Sequence, residues 1–180
     1  MAKNNDLHTL IPRGGVMHIR LGDVQDWPFL YALGKTVIMD SVSPWRKQAE
    51  AKTVKYRTSV LKGFWTWIQQ TNSKVFIAEI EENKNPVKAG YLVLYPEMRE
   101  ELTGMTQGWV MDLAVLPQYR GRGIARTLIA HAEDYCRERG LAYLGLAVSS
   151  HNVKALALYE KLGFVEERKI MVKTVRQAEE

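Results

Sequence analysis

The segment from Gln118 to Ala125 has the composition of a binding site for phosphate groups. It reads Gln118-Tyr119-Arg120-Gly121-Arg122-Gly123-Ile124-Ala125 and lies between an apolar run and a helical pattern. A turn that opens a helix directs unpaired main-chain N–H groups and the positive end of the helix dipole at one point, which favours an anion. The glycines allow close approach of the main chain, and the arginines add positive charge. The residues alone fit a phosphorylated ligand and an ordinary strand-to-helix connection equally well.

Two common phosphate-binding motifs do not fit this segment. A P-loop requires Lys followed by Ser or Thr directly after its last glycine, and no such pair follows Gly121 or Gly123. The dinucleotide fingerprint requires a third Gly or Ala three residues after the second glycine, where this chain has Arg126. A phosphorylated ligand would therefore be held by a different motif.

Alternating strand and helix patterns position this segment. Residues 109–116 are almost wholly apolar, which is typical of a strand at the centre of a sheet. From Gly123, apolar residues recur every three or four positions up to Gly140, which predicts a helix that ends there. Further strands are predicted at 16–20, 75–82, 89–95, 143–148 and 165–175, and further helices at 27–40, 48–70 and 152–162. We expect 75–82 and 89–95 to pair antiparallel, in an α/β fold whose mixed sheet carries helices on both faces.

Length and composition restrict the class of protein. The chain has 180 residues, a net charge of +5, 46% hydrophobic residues and one Cys. These values suit one domain, predicted at 16–175 between a flexible arm (1–15) and a charged tail (176–180), without disulfides. No apolar run reaches the about 20 residues that cross a bilayer, and the start lacks a signal-peptide pattern, so we expect a soluble, cytoplasmic protein without a membrane partner. Basic and acidic residues are interspersed, which argues against a nucleic-acid partner.

Two blocks of the sequence resemble the Gcn5-related N-acetyltransferase (GNAT) family. The family's acetyl-CoA signature, Q/R-x-x-G-x-G/A, is matched by Gln118-Tyr119-Arg120-Gly121-Arg122-Gly123, which follows Asp112-Leu113-Ala114-Val115-Leu116-Pro117. A second block, Asn152 followed by Ala155-Leu156-Ala157-Leu158-Tyr159-Glu160-Lys161-Leu162-Gly163-Phe164, is similar to the segment that ends most of these domains. The resemblance covers residues 16–175, with the specific motifs in 109–164. It implies a GNAT-like acyl-CoA N-acyltransferase fold with a mixed, mostly antiparallel sheet, and acetyl-CoA as cosubstrate.

The resemblance also implies contacts with acetyl-CoA. In the family the central strand diverges from its neighbour, and the pantetheine arm enters the gap and pairs with main-chain groups, here those of Leu113 and Val115. Asn152 would contact that arm, and it is also a predicted helix N-cap. Tyr159 lies two helical turns further on the same face, where its hydroxyl would protonate the leaving thiolate; its alternative role is ordinary packing. The predicted cofactor-binding residues are Leu113, Ala114, Val115, Gln118, Tyr119, Arg120, Gly121, Arg122, Gly123, Ile124, Ala125, Asn152, Ala155 and Tyr159.

An attacking amine must lose a proton, because an alkyl ammonium has a pKa of about 10. Asp112, the one charged residue in its strand, is a candidate proton acceptor, although a structural hydrogen bond would explain it equally well. Glu79 is the second candidate, weakened by the neighbouring Glu81 and Glu82. The ribosomal-protein N-terminal acetyltransferases, which the last third of the chain resembles, carry Glu where this chain has Ala147. Their substrate and base therefore do not transfer directly.

The remaining candidates concern the acceptor and the overall function. Trp45 follows the break at Pro44 and is predicted to project from a loop towards the acceptor, as a substrate-binding residue. Cys136 falls on the apolar face of its helix and is expected to be an inert core thiol. The histidines have no metal-ligand spacing, so no metal is expected. The predicted function is acetyl transfer from acetyl-CoA to a primary amine of a small molecule or peptide, by a monomer or homodimer; the alternative is a non-catalytic acyl-CoA-binding regulatory module.

Overall fold

The computed structural model of the protein describes residues 9–11 and 15–175. Its strands are β1 (Thr9–Ile11), β2 (Gly15–Leu21), β3 (Lys74–Glu82), β4 (Asn85–Arg99), β5 (Thr106–Val115) and β6 (Leu144–Leu146). They form one six-stranded sheet in the order β1-β2-β3-β4-β5-β6. Neighbours pair antiparallel except β5 and β6, which run parallel. The predicted mixed, mostly antiparallel sheet is confirmed, and β3 and β4 form the predicted hairpin.

Four α-helices accompany the sheet: α1 (Trp27–Thr36), α2 (Glu50–Gln70), α3 (Ile124–Glu138) and α4 (Val153–Lys161). Pro28 stands in the first turn of α1, where its missing N–H costs no hydrogen bond. Asn152 caps α4, because its side-chain oxygen accepts a hydrogen bond from the Ala155 N–H at 3.2 Å. No helix in the described part of the chain is long and apolar enough to cross a membrane.

The alternation of side chains along the central strands divides the core between the two faces of the sheet. Phe76 and Leu92 pack with α3, whereas Ile77 and Val93 pack with α1 and α2. Since successive strand residues point to opposite faces, one hairpin supplies both cores. Gly108 of β5 allows α3 to approach closely, because a Cβ at this position would lie 2.3 Å from the Cys136 Sγ. The helices on both faces confirm the predicted layering.

A buried ion-pair cluster joins the start of α1 to the sheet. The Asp26 side chain, only 2% exposed, contacts Arg20 at 2.7 Å and the Lys88 Nζ at 2.5 Å. Asp26 also accepts a hydrogen bond from the Asp23 N–H at 2.9 Å. Hydrogen bonds from Arg20 lower the pKa of Asp26 below its ordinary range, against the opposing effect of burial. Asp26 is therefore ionised and ties β2, β4 and the helix start together.

The structure departs from the predicted elements near both ends. Thr9–Ile11 of the predicted arm pair with β2, while 1–8, 12–14 and the tail 176–180 lie outside the described residues. The predicted helix over 27–40 ends at Thr36 and continues as the 3-10 turn Ile38–Ser41. Strand β6 is confined to Leu144–Leu146, shorter than 143–148. The predicted strand at 165–175 is wrong, since this segment has no strand and is exposed. Four consecutive charged residues, 166–169, leave such a strand no apolar face.

Candidate active site

Strands β5 and β6 diverge and leave a gap in the sheet. They pair only at Gly108–Leu144, Trp109–Gly145 and Val110–Leu146, and the described residues give Met111 to Val115 no partner on β6. The register between β4 and β5 shifts at Met111, an extra residue that bends β5 where β6 departs. The Leu116 N–H donates to the Ala89 carbonyl at 2.8 Å. Because main-chain groups alternate in direction, those of Leu113 and Val115 face the gap, and their pairing with a ligand stays a prediction.

The glycine turn at the end of β5 opens directly onto α3. A 3-10 turn, Pro117–Tyr119, leads into Gly121 and Gly123, whose φ angles are 76° and 83°. No heavy atom lies within 4 Å of a Cβ built at either glycine, so the main chain there is accessible. Gly123 precedes the first residue of α3, which has no side-chain cap. Within the described residues no side chain caps the N-terminus of α3, and the role of this turn in phosphate binding stays a prediction.

The side chains in this turn have different surroundings. Arg120 donates from Nε to the Val115 carbonyl oxygen at 3.1 Å, and the Arg122 guanidinium lies 5.2 Å from the centre of the Tyr119 ring. Tyr119 and Ile124 are buried in the core beneath α3. Burial and a hydrogen bond to Glu82 raise the pKa of Tyr119. Tyr119 and Ile124 therefore offer a ligand their main chain only, whereas the exposed Arg120 can also offer its charge.

A segment before α2 lies against the residues that follow β6. Asn152 donates from Nδ2 to the Asp40 carbonyl oxygen at 3.2 Å, and the Ser149 hydroxyl donates to the Ser41 carbonyl oxygen. Arg120 lies 3.7 Å from the Asp40 carboxylate. Asp40 and Ser41 thus connect the glycine turn with the N-terminus of α4. Asn152 has the N-cap role predicted for it, and it spans from α4 to this segment.

Asp112 lies on β5 beside the gap, in contact with a buried tyrosine. The Tyr91 hydroxyl donates to Asp112 Oδ2 at 2.7 Å. Burial raises the pKa of Asp112 above its ordinary value, although Tyr91, the Leu113 N–H and the positive charge of Arg57 act in the opposite direction. Asp112 is therefore a stronger proton acceptor than an ordinary carboxylate. The predicted alternative, a structural hydrogen bond, is present as well.

Tyr159 lies on α4, the helix that follows β6. Its ring packs edge-on against Phe164 at 5.7 Å and is half-buried. Burial and the negative charge of Asp112 both raise the pKa of Tyr159, so the phenol keeps its proton at neutral pH. Asp112 and Tyr159 are close enough to interact electrostatically. The structure thus places the residues predicted to accept and to donate protons within electrostatic range of each other, and their catalytic roles stay predictions.

Glu79, the second predicted proton acceptor, does not belong to this group. It binds Arg20 at 2.8 Å and pairs across the sheet with Lys88, in the Asp26 cluster. Asp112 pairs with Val93, five positions further along β4. At about 3.4 Å per residue, the positions on β4 that pair with Glu79 and Asp112 lie about 17 Å apart along that strand. The prediction that pairs Glu79 with the acetyl-transfer chemistry is therefore corrected: its carboxylate is engaged in a structural ion pair.

Trp45 is exposed and Cys136 is buried, as the sequence predicts, and the role of Trp45 in binding the acceptor stays a prediction. Trp45 is 70% exposed in the connection between Ser41 and α2, as expected for a side chain that projects from a loop. Cys136 is a free, buried thiol whose pKa is raised by burial, which confirms a core thiol. Among the described residues no group of three or more His, Cys, Asp or Glu could hold a metal ion.

The sequence patterns do not identify Tyr91 and Arg57 as residues that act on Asp112. In the sequence, Tyr91 is one of several consecutive apolar residues in a strand predicted to be buried. Its position next to Asp112 depends on the register of β4 against β5. Arg57 lies between Thr53 and Leu61, the buried positions one helical turn away on either side. Arg57 itself is exposed, so the helical pattern gives no sign that its charge acts on Asp112.

Curated relatives match short parts of the chain. Streptothricin acetyltransferase of Streptomyces lavendulae is 44% identical over 55 residues, which is 31% of this chain and 29% of that protein. The [ribosomal protein bS18]-alanine N-acetyltransferase of Escherichia coli is 40% identical over 62 residues, 34% of this chain and 42% of that protein. The chain thus spans less than half the length of these relatives.

Solved structures match nearly the whole chain. A putative acetyl transferase from Pyrococcus furiosus has a TM-score of 0.71 at 23% identity, covering 88% of this chain and 99% of that one. The aminoglycoside N-acetyltransferase AAC(6')-Iy in complex with CoA has a TM-score of 0.66 at 22% identity, covering 93% and 100%. At these identities the likeness shows the fold.

A match to a family model shows the protein family to which the chain belongs. The model described as "Acetyltransferase (GNAT) family" matches residues 39–164. That range contains the β5–β6 gap, the glycine turn, Asp112 and Tyr159, and it amounts to more than half of the chain. The resemblance drawn from the two sequence blocks is confirmed, and the chain belongs to the acetyltransferase (GNAT) family.

Proposed function

We propose that this protein transfers the acetyl group of acetyl-CoA directly to a primary amine of a small molecule or peptide. The observation that carries the proposal is the gap between β5 and β6, which has main-chain groups of Leu113 and Val115 along one side. Asp112 lies on β5 beside this gap, Tyr159 interacts with Asp112 electrostatically, and the glycine turn follows the end of β5. One cleft thus combines an edge for an extended ligand, an anion site and two groups suited to proton transfer.

The cleft fits the parts of acetyl-CoA in order. The exposed main-chain edge at Leu113 suits the amide groups of the pantetheine arm, because a strand edge binds an extended chain through main-chain hydrogen bonds. The open turn at Gly121 and Gly123 suits the diphosphate, since the positive end of the α3 dipole and nearby arginines meet there. Asn152 and Ala155, at the start of α4, would contact the arm from the opposite side.

The reaction requires proton transfer from the ammonium group and proton transfer to the leaving thiolate, and each of these steps has a candidate residue. Asp112 accepts a proton from the ammonium group, directly or through water, and the neutral nitrogen attacks the thioester carbonyl carbon. A C–N bond forms, the C–S bond breaks, and the thiolate of CoA receives a proton from the Tyr159 hydroxyl. The nitrogen loses its second proton as the amide forms, and this proton, carried through water, restores the Tyr159 hydroxyl, while the proton on Asp112 passes to solvent. The raised pKa of Asp112 suits the first step, and the raised pKa of Tyr159 keeps the hydroxyl proton in place until the thiolate forms. No acyl-enzyme intermediate is required.

The amine acceptor is assigned only by chemical class. The names of two relatives state a small-molecule acceptor, streptothricin, and a protein alanine. The exposed aromatic side chains of Trp45 and Tyr56 lie in the α1–α2 region, where they can contact an acceptor. Both features support a primary amine on a small molecule or a peptide.

The test is release of free CoA thiol with a panel of polyamines, aminoglycosides, amino acids and peptides with free N-termini. We expect release that depends on the amine. Tyr159→Phe should slow turnover at least tenfold while it leaves acetyl-CoA affinity within about twofold. Tyr143→Phe removes an exposed phenol elsewhere and should leave turnover unchanged. Binding of acetyl-CoA without thiol release for every amine would instead indicate a non-catalytic acyl-CoA-binding module.

A further inference from the structure

The Tyr91–Asp112 hydrogen bond is built into the register of the two central strands. Tyr91 pairs with Ala114, and Val93 pairs with Asp112, so Tyr91 and Asp112 are diagonal neighbours on one face of the sheet. The hydroxyl of Tyr91 donates to Asp112 Oδ2 at 2.7 Å. The bond thus depends on strand pairing and not on a mobile loop.

The surroundings of Tyr91 hold its hydroxyl in place. The side chain is only 1% exposed, and its ring packs edge-on against Phe29 at 6.4 Å. At the tip of the ring, a Cβ built on Gly34 of α1 would lie 3.0 Å from the Tyr91 Oη and 3.6 Å from a methyl group of Leu61. Such close packing restricts the rotamers that the side chain can adopt. The hydroxyl therefore meets Asp112 in a fixed direction.

We propose that Tyr91 is the positioning residue for Asp112: its hydroxyl fixes one carboxylate oxygen and leaves the other for the acceptor amine. This inference rests on the proposed function, in which Asp112 accepts the proton. A buried hydroxyl in this place has a second consequence, because a donor bonded to a carboxylate favours the ionised form. Without Tyr91, the same burial would keep the carboxylate protonated to higher pH.

Other groups also change the pKa of Asp112, and their effects must be distinguished from that of Tyr91. Arg57 of α2 stabilises the ionised carboxylate through its charge, as does the Leu113 N–H through a hydrogen bond. Tyr159 of α4 interacts electrostatically with the same carboxylate, whose charge raises the pKa of Tyr159. None of these groups is bonded to Tyr91 in the described residues. A change that removes only the Tyr91 hydroxyl therefore isolates its effect.

Tyr91→Phe is the decisive variant, measured by the pH profile of kcat/KM for acetyl transfer. We expect the acidic limb to move to higher pH and kcat/KM at neutral pH to fall about tenfold, the size typical of a hydrogen bond to a charged group. Tyr95→Phe is the matched control, on the same strand, where the ring packs against Trp67 at 5.3 Å. It should leave the acidic limb in place. Gly34→Ala keeps the hydroxyl but displaces it, and should move the limb in the same direction as Tyr91→Phe.

The outcomes separate this inference from the proposed function. If Asp112→Asn abolishes transfer but Tyr91→Phe and Gly34→Ala leave the acidic limb unmoved, Tyr91 does not position the base and the proposed function stands. If Asp112→Asn leaves kcat/KM and its pH profile unchanged, the base assignment fails and the inference fails with it. A limb that moves equally in Tyr91→Phe and Tyr95→Phe would show a general packing effect and would also overturn the inference. Far-ultraviolet circular dichroism and melting temperature verify that each variant is folded.

Discussion

The Arg120 side chain closes the end of β5 by donating from Nε to the carbonyl oxygen of Val115 at 3.1 Å. The same guanidinium lies 3.7 Å from the Asp40 carboxylate, on the other side of the gap. In the proposed function the phosphate groups of acetyl-CoA bind beside this arginine. Asp40 therefore competes with the ligand for the positive charge of Arg120.

Asp40→Asn should tighten the binding of acetyl-CoA. Both side chains of the pair are about half exposed, so the ion pair contributes at most about 1 kcal/mol, and its loss should lower the Kd by about two- to fivefold. Isothermal titration with acetyl-CoA at low salt measures the effect. Asp134→Asn, which removes an equivalent exposed charge paired with Arg137, is the control and should leave the Kd unchanged. A Kd that rises, or that falls equally in both variants, would contradict the competition.

Gly123→Ala should weaken acetyl-CoA binding more than it destabilises the fold. The φ angle of 83° is in the left-handed region, where a Cβ costs about 1–2 kcal/mol of folding free energy. Gly140, with a φ of 69° after α3, is a matched control because a Cβ there also meets no atom within 4 Å. We expect Gly140→Ala to lose similar stability in urea unfolding and to keep its affinity. Equal affinities in the two variants would exclude the turn from the binding site.

Asp112→Asn should stabilise the protein at alkaline pH. Burial raises the pKa of Asp112, so this carboxyl favours the folded state while protonated and loses that contribution as pH rises through its folded-state pKa. The Asn side chain carries no charge, and its oxygen can still accept the hydrogen bond from the Tyr91 hydroxyl. Urea unfolding at pH 8 should therefore show the variant more stable than the wild type, with the difference vanishing below about pH 4, the ordinary aspartate range. A variant less stable at pH 8 would show that the carboxylate is held mainly by favourable contacts.

Asp26→Asn should have the opposite effect. Hydrogen bonds from Arg20 lower the pKa of Asp26, so its contribution is present above the ordinary aspartate pKa and is lost as pH falls through the lowered value. We expect a loss of about 3 kcal/mol at pH 7, the lower end for a broken buried pair, because Arg20 and Lys88 keep some contact with water. The difference in the free energy of unfolding between the variant and the wild type should become smaller at acidic pH. Glu79→Gln, which leaves Arg20 its bonds to Asp26, should cost less; an equal cost would mean that Asp26 is not the centre of the cluster.

The parts of the site that local sequence determines could be predicted. The turn with Gly121 and Gly123 could be predicted because it is determined by neighbouring residues: a strand, a turn with positive φ angles and the start of a helix follow one another directly in the chain. The N-cap at Asn152 is local in the same way. The direction of the Leu113 and Val115 main-chain groups was inferred from the family, and the alternation along β5 gives the same result.

The parts that depend on pairing between distant strands could not be predicted. The bulge at Met111 decides which residue of β4 faces Asp112, and no local pattern marks it. Glu79 resembled a free carboxylate because its partner, Arg20, lies 59 positions away in the chain. The apolar residues at 165–175 suggested a strand, but Arg168 instead contacts Glu100 and Glu101, and the charges beside it oppose burial.

Amide hydrogen exchange with and without acetyl-CoA tests most directly whether the β5–β6 gap and the glycine turn hold this ligand. Saturating acetyl-CoA should slow exchange at Leu113, Val115 and the amides of 121–125, while the amides that β2 and β3 bond to each other keep their rates. Acetyl-CoA at millimolar concentration that leaves exchange at Leu113, Val115 and 121–125 unchanged would contradict the account.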